Sequence, residues 1–197
     1  MIHKMIPGKS ERTIIGLHGT GGTEEDMVQI AHYIDPDAAY IGIRGNIVES
    51  GMNRYFKRVD MKTFDLESLN HESVILKNEI MTLLKTYNRS LEEVSVVGYS
   101  NGANITLNLL KMDYGLFKQA LLFHPMHVQP SIPFSKHLQT RVFITSGTGD
   151  PYTDVQDIEV MVEELRKSQI FVTHFHTQHG HQLIPEEIKQ ARDFYEI

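Results

Sequence analysis

A serine with a glycine two residues to either side, Gly98-Tyr99-Ser100-Asn101-Gly102, is where this chain offers covalent chemistry. The spacing suits a tight strand-to-helix turn. Side chains at the glycine positions would collide there, and the serine is held in a strained backbone with its oxygen exposed. Ordinary glycine and serine usage produces such a pentapeptide by chance in about 5–10% of chains this long, so the flanks decide. Val94-Ser95-Val96-Val97 reads as a short apolar strand before it, and residues 101–111 carry a helical pattern after it. Ser100 is therefore the candidate nucleophile. It needs a base to take its proton and a third group to orient that base.

On turns of this kind the partners follow in the order nucleophile, acid, histidine. Val142-Phe143-Ile144-Thr145 leads into Ser146-Gly147-Thr148-Gly149-Asp150-Pro151, which puts Asp150 in a loop at a strand's C-terminal end. Asp154 and Asp157 are its rivals. Both fall at the start of the next helical stretch, where negative charge serves as N-terminal capping. Four histidines crowd the end of the chain: His174, His176, His179 and His181. A strand over 170–176 sets His174 and His176 on one face by period-two alternation, away from a loop-borne position. His181 lies past the strand in Gly180-His181-Gln182 and is the candidate base, with His179 as runner-up. The same histidines could share a zinc ion, but no nearby carboxylate has evident ligand geometry, and no metal is expected.

The loop His18-Gly19-Thr20-Gly21-Gly22 follows the first clear strand. The backbone N–H of Thr20, paired with that of Asn101, is the expected oxyanion hole, and losing one such donor costs about 2.7–4 kcal/mol of barrier lowering. Phosphate binding is the rival reading of this glycine-rich loop. No Lys-Ser or Lys-Thr follows it, however, and the glycines are not spaced Gly-x-Gly-x-x-Gly. Residues 44–57 read as a long loop overhanging the site. Met52, Tyr55 and Phe56 are expected to line an acyl or aromatic pocket, with Met126 opposite. The competing reading is a loop packed on its own side chains. Arg44 either meets a substrate carboxylate or braces the loop.

These residues need a scaffold that brings distant loops to one sheet edge. Strands are expected at 13–17, 39–43, 94–97, 120–123, 142–145 and 170–176. Helices are expected from Glu24 to about Tyr33 with Thr23 as N-cap, and over 72–87, 101–111, 154–167 and 185–195. Residues 124–140 carry three prolines and read as irregular. Strands alternating with helices imply an α/β fold, a mainly parallel sheet covered on both faces. With no repeat or linker, residues 1–197 are expected to form one domain.

Net charge −6 argues against nucleic acid or anionic membrane as the main partner. The absence of cysteine removes disulfides and thiolate chemistry. Without a signal-peptide pattern or an apolar run of about 20 residues, the expected location is the cytoplasm.

Four strings in order carry a family resemblance: residues 18–26, Arg44-Gly45-Asn46 with Gly51-Met52-Asn53-Arg54-Tyr55-Phe56, residues 98–104, and Gly180-His181-Gln182-Leu183. Together they resemble the bacterial phospholipase/carboxylesterase family of α/β-hydrolases, in particular its small hydrolases associated with hydroquinone and quinone stress. The resemblance covers nearly the whole chain. It implies a compact α/β-hydrolase fold with no lid domain, homodimers being common, and no cofactor. It carries the nucleophile to Ser100, the acid to Asp150, the histidine to His181 and the oxyanion donors to Thr20 and Asn101. Many relatives have leucine where this chain has Thr20, which leaves a backbone donor intact beside a more polar pocket. Dienelactone hydrolases that use a cysteine nucleophile share the fold, but their mechanism is closed to a chain without cysteine. The expected activity is a serine carboxylesterase acting on small to medium esters. Acyl-protein or acyl-CoA thioester hydrolysis is the alternative within the class, and a non-catalytic small-ligand-binding protein is the alternative outside it.

Overall fold

The computed structural model describes residues 1–112, 114–135 and 139–197. Seven strands form one sheet: β1 (His3–Ile6), β2 (Thr13–Leu17), β3 (Ala39–Ile43), β6 (Val94–Tyr99), β7 (Gln119–Phe123), β8 (Arg141–Gly147) and β9 (Val172–Thr177). Two more, β4 (Ile47–Glu49) and β5 (Met52–Arg54), make a separate hairpin. The sheet order is β1-β3-β2-β6-β7-β8-β9. Every neighbour pair is parallel except β1 with β3.

The pleat explains why the five inner strands are buried on both sides. Ile14, Val97, Leu121, Phe123 and Phe143 pack under α1 (Val28–Ile34) and α5 (Pro185–Tyr195). Ile15, Leu17, Val96, Leu122 and Ile144 face the opposite layer, formed by α2 (Leu66–Thr86), α3 (Asn101–Lys111) and α4 (Val155–Lys167). Each such side chain contributes about 1.5–3 kcal/mol when fully buried. This is the mainly parallel, two-sided sheet expected from the alternation of strands and helices, and it matches the α/β-hydrolase architecture that the resemblance implied.

Strand order dictates where a ligand can sit. From β2 the chain steps to β3 on one side, then returns to place β6 on the other side. The loops leaving β2 and β6 therefore diverge and open a crevice at the carboxyl ends of the strands. Those loops hold Thr20 and Ser100.

Several boundaries differ from expectation. The loop read over 44–57 contains the β4–β5 hairpin. Helix α2 begins at Leu66, six residues before the expected start at 72, because the Asp65 carboxylate accepts the Ser68 N–H as its N-cap. Thr23 does not cap α1. Its hydroxyl donates to Asp26 and accepts the Glu25 N–H, closing a turn that precedes the helix. Residues 124–135 and 139–140 are irregular as expected, while 136–138 lie outside the described residues. No helix among the described residues is long and apolar enough to cross a membrane.

Candidate active site

Ser100 occupies the turn between β6 and α3 with φ 51° and ψ −109°, a region costly for any residue with a side chain. Its N–H donates to Phe123 O at 2.9 Å, pinning the turn to the neighbouring strand. Gly102 is required by close approach: a Cβ there would lie 2.2 Å from Leu17 O at the end of β2. The glycine thus lets α3 start directly against the strand that leads into the Thr20 loop.

The structure brings Ser100, His181 and Asp150 together in one relay. His181 Nε2 lies 2.9 Å from Ser100 Oγ, and His181 Nδ1 lies 2.6 Å from Asp150 Oδ2. With Asp150 ionised, Nδ1 carries the ring proton and Nε2 is left to accept from the serine. The second oxygen of Asp150 accepts the Tyr152 N–H at 2.9 Å. Burial raises the Asp150 pKa, but the charge-assisted contacts with His124 and His181 and the hydrogen bond from the Tyr152 N–H outweigh it and hold the carboxyl well below the usual carboxylate range. Asp150 is a stable anion.

The histidine loop is tied from several sides. Tyr99 donates its hydroxyl to His181 O at 2.7 Å, and the Tyr152 ring lies 4.6 Å from the imidazole. Gly147, at the end of β8, lets the loop come close, since a Cβ there would lie 2.0 Å from Gly180 O. Thr148 then bonds both ways, accepting from Gly180 N–H at 3.1 Å and donating its own N–H to Thr177 O at 2.9 Å. The acid-bearing and histidine-bearing loops are one hydrogen-bonded unit.

The rival residues stand elsewhere. Asp154 is the N-cap of α4, accepting the Gln156 N–H, and Asp157 lies in the first turn of that helix. His174 and His176 share a strand face as expected and converge on the Ser146 hydroxyl at 2.7 and 2.8 Å. His179 is exposed. Donor atoms of His124, Asp150 and His181 lie within 4.8 Å of one another, a grouping that bears on the zinc reading. Two ligands of one tetrahedral zinc sit about 3.3 Å apart for bonds near 2.0 Å. The 2.6 Å contact between His181 and Asp150 is a hydrogen bond instead.

Thr20 and Asn101 flank the crevice as expected. Asn101 opens α3, so no carbonyl one turn earlier can take its N–H. The Thr20 N–H likewise donates to no acceptor among the described residues. The Thr20 loop is fixed by His18, which is fully buried. Its Nε2 accepts the Gly45 N–H at 3.1 Å, so Nδ1 is the protonated nitrogen and donates to Gly19 O at 2.6 Å. Burial lowers the pKa of this ring, in keeping with a neutral imidazole.

The pocket expectations need correction at three residues. Tyr55 and Phe56 belong to the core and not to a substrate pocket wall: both are fully buried. The Tyr55 hydroxyl donates to Ile43 O at 2.5 Å and accepts the His18 N–H at 3.0 Å, and the Phe56 ring packs 5.2 Å from Phe64. Hairpin formation turns these aromatic groups inward, where an acyl chain cannot reach. Arg44 braces the fold through two contacts with Glu24, at 2.5 and 3.0 Å, and is not free to receive a substrate carboxylate. Met52 stays partly exposed beside Gly21. Met126 lines a pocket of about 330 Å³ with Tyr152, His127, Pro130 and Thr153, and of these Tyr152 has its ring 4.6 Å from the His181 imidazole.

Sequence reasoning missed the side chains that hold these loops. Asn101 Oδ1 accepts the Tyr55 N–H and Asn104 Oδ1 the Met126 N–H, both at 2.7 Å, so α3 anchors both walls of the crevice. It also missed His124 and Glu187, both fully buried behind Asp150. His124 follows a strand's C-terminal end and precedes a proline, the one local sign that could have marked it.

The model of the dienelactone hydrolase family matches residues 7–190. The chain is 37% identical to the protein MhqD of Bacillus subtilis (strain 168) over 195 residues, covering 99% of this chain and 98% of that one. Among solved structures, a Bacillus cereus carboxylesterase superposes with TM-score 0.95 at 33% identity, covering 98% of this chain and 92% of the other. YahD, solved with malic acid, superposes with TM-score 0.91 at 29% identity, covering 99% and 98%.

Proposed function

Because the chain belongs to the dienelactone hydrolase family and is an esterase-type hydrolase, we propose that it is a single-domain serine carboxylesterase working through an acyl-enzyme on Ser100. The observation that carries this reading is the continuous relay from Ser100 Oγ through His181 to Asp150, with contacts of 2.9 and 2.6 Å. Ser100 attacks the ester carbonyl while His181 Nε2 takes its proton. The imidazolium that forms is stabilised by the anion of Asp150. Backbone N–H groups of Thr20 and Asn101 receive the developing oxyanion. His181 returns the proton to the leaving alcohol, and a water molecule activated by the same nitrogen resolves the acyl-enzyme.

Small to medium esters are the proposed substrates. With no thiol in the chain, the nucleophile is oxygen. The proposed location is the cytoplasm.

Turnover of p-nitrophenyl acetate and butyrate, together with fluorophosphonate labelling, tests the reading. Wild type is expected to hydrolyse both esters and take one label, and Ser100→Ala to do neither. Equal turnover by the two proteins would sink the acyl-enzyme reading. A parallel panel of acyl thioesters decides which leaving atom, oxygen or sulfur, is preferred.

A further inference from the structure

Behind the relay lies a second imidazole that the reaction as written does not use. His124 follows β7 and is walled off from solvent, as are Asp150 on one side of it and Glu187 of α5 on the other. His124 Nε2 is 2.9 Å from Glu187 Oε1, and His124 Nδ1 is 3.7 Å from Asp150 Oδ2. The other oxygen of Glu187 accepts the Ile184 N–H at 3.0 Å, which fixes the carboxylate at the start of α5. The whole line therefore reads Glu187, His124, Asp150, His181, Ser100.

Neither nitrogen of His124 makes an aligned hydrogen bond, and neither does Glu187 Oε1. A neutral ring here would leave two buried carboxylates facing an uncharged group with poorly directed donors, an arrangement that costs free energy without return. Coulomb attraction does not depend on direction in this way. A cation between two buried anions satisfies both, and breaking such a set by removing one member is costly. His124 also adopts φ 50° and anchors its N–H on Thr145 Oγ1 at 3.3 Å, so its ring is held in place.

Resting on the acyl-enzyme reading, we propose that His124 is a positioning residue for the reaction. Glu187 keeps it as a buried cation that locks Asp150 as an anion and opposes protonation of His181 in the resting enzyme. The charged groups facing this cation are Asp150 from the β8–α4 loop and Glu187 from α5. His181 faces it from the β9–α5 loop with its ring 5.4 Å away, and Tyr99 from β6 with its ring 6.2 Å away. A like charge 5.4 Å away disfavours a second cation at His181. The free-base form that accepts from Ser100 is thereby kept as the solution is acidified. Burial lowers the pKa of His124, yet its contacts with Asp150 and Glu187 prevail and push it up to about 9.

The test is the pH dependence of p-nitrophenyl acetate hydrolysis. His124→Gln removes the cation. The double variant His124→Gln/Glu187→Gln removes both buried charges together, guarding against a fold that fails on an unpaired carboxylate. In either variant the acid limb of kcat/KM is expected to move upward. Activity at pH 6 relative to pH 8.5 then falls about tenfold or more against wild type. A uniform loss with the limb unmoved would show His124 to be merely structural and overturn the proposal.

Nitrogen NMR of the wild-type imidazoles provides a readout without variants. An imidazolium at His124 at pH 7.5 supports the proposal, and a neutral ring defeats it. Wild type without ester turnover or Ser100 labelling would instead defeat the acyl-enzyme reading, so the two failures are distinguishable.

Discussion

Replacing Ser100 by glycine is expected to stabilise the protein relative to replacing it by alanine, although both changes abolish activity. The backbone there is held at φ 51° and ψ −109°, which costs a residue with a side chain about 1–3 kcal/mol. Glycine relieves that cost, but its freer unfolded chain takes back about 0.4–1 kcal/mol relative to alanine. Both variants lose the same 2.9 Å contact with His181, so that loss cancels in the comparison. The net advantage of Ser100→Gly over Ser100→Ala is about 0.5–2 kcal/mol. For 197 residues, an unfolding entropy near 2.1 cal/mol/K per residue totals about 0.4 kcal/mol/K, giving a Tm higher by about 1–5 °C. Differential scanning calorimetry of the two inactive proteins reads the difference directly. If the alanine variant melts at or above the glycine variant, the turn stores no strain and the steric account of the elbow is wrong.

Asp150→Asn is expected to reduce kcat by about 10⁴ while leaving the protein folded, because the amide no longer enforces the Nδ1–H tautomer of His181; stopped esterase assays with a far-UV CD control check this. Gly102→Ala drives a Cβ to 2.2 Å from Leu17 O and should cost about 1–3 kcal/mol by overpacking, seen as a lower urea midpoint. Stability should also vary with pH in a defined sense. The pKa of His124 is raised from 6.5 to about 9, so its contribution is complete below pH 6.5 and lost as pH rises through about 9. Asp150 is depressed, so its contribution is present above its unfolded value and lost as acid drives the pH down through the folded one. Urea midpoints should therefore fall between pH 6 and pH 10 for wild type, and less steeply for the double variant of His124 and Glu187.

The parts of the site that could be read in advance are those fixed by local pattern. A glycine-flanked serine after Val94–Val97 can only be a turn between strand and helix. Asp150 and His181 each sit just beyond an apolar strand, and parallel strands deliver all such loops to one edge. What could not be read depends on which way a side chain turns once the backbone closes. Tyr55 and Phe56 look like pocket residues in a polar loop, but the β4–β5 hairpin rotates them into the core. Strand β1 escaped notice because His3-Lys4-Met5-Ile6 is short and only partly buried, and its paired residues in β3 lie 34 to 40 residues away. Glu187 looks like a helix-start acid, and its second role behind Asp150 exists only because α5 packs beneath β7 and β8. Chemistry at loop ends is encoded locally, and the supporting shell is encoded by topology.

The order of strands also assigns unequal mechanical security to the reacting groups. Ser100 leaves β6, the middle strand, whereas His181 hangs from β9 at the outer margin, a strand paired on one side only. Margins fray at lower free energy than interiors. Warming should consequently detach the imidazole before the sheet melts, silencing the enzyme while its circular dichroism still looks native. Crosslinking that margin to β8 would lengthen the working life of the enzyme without raising its melting point by the same measure.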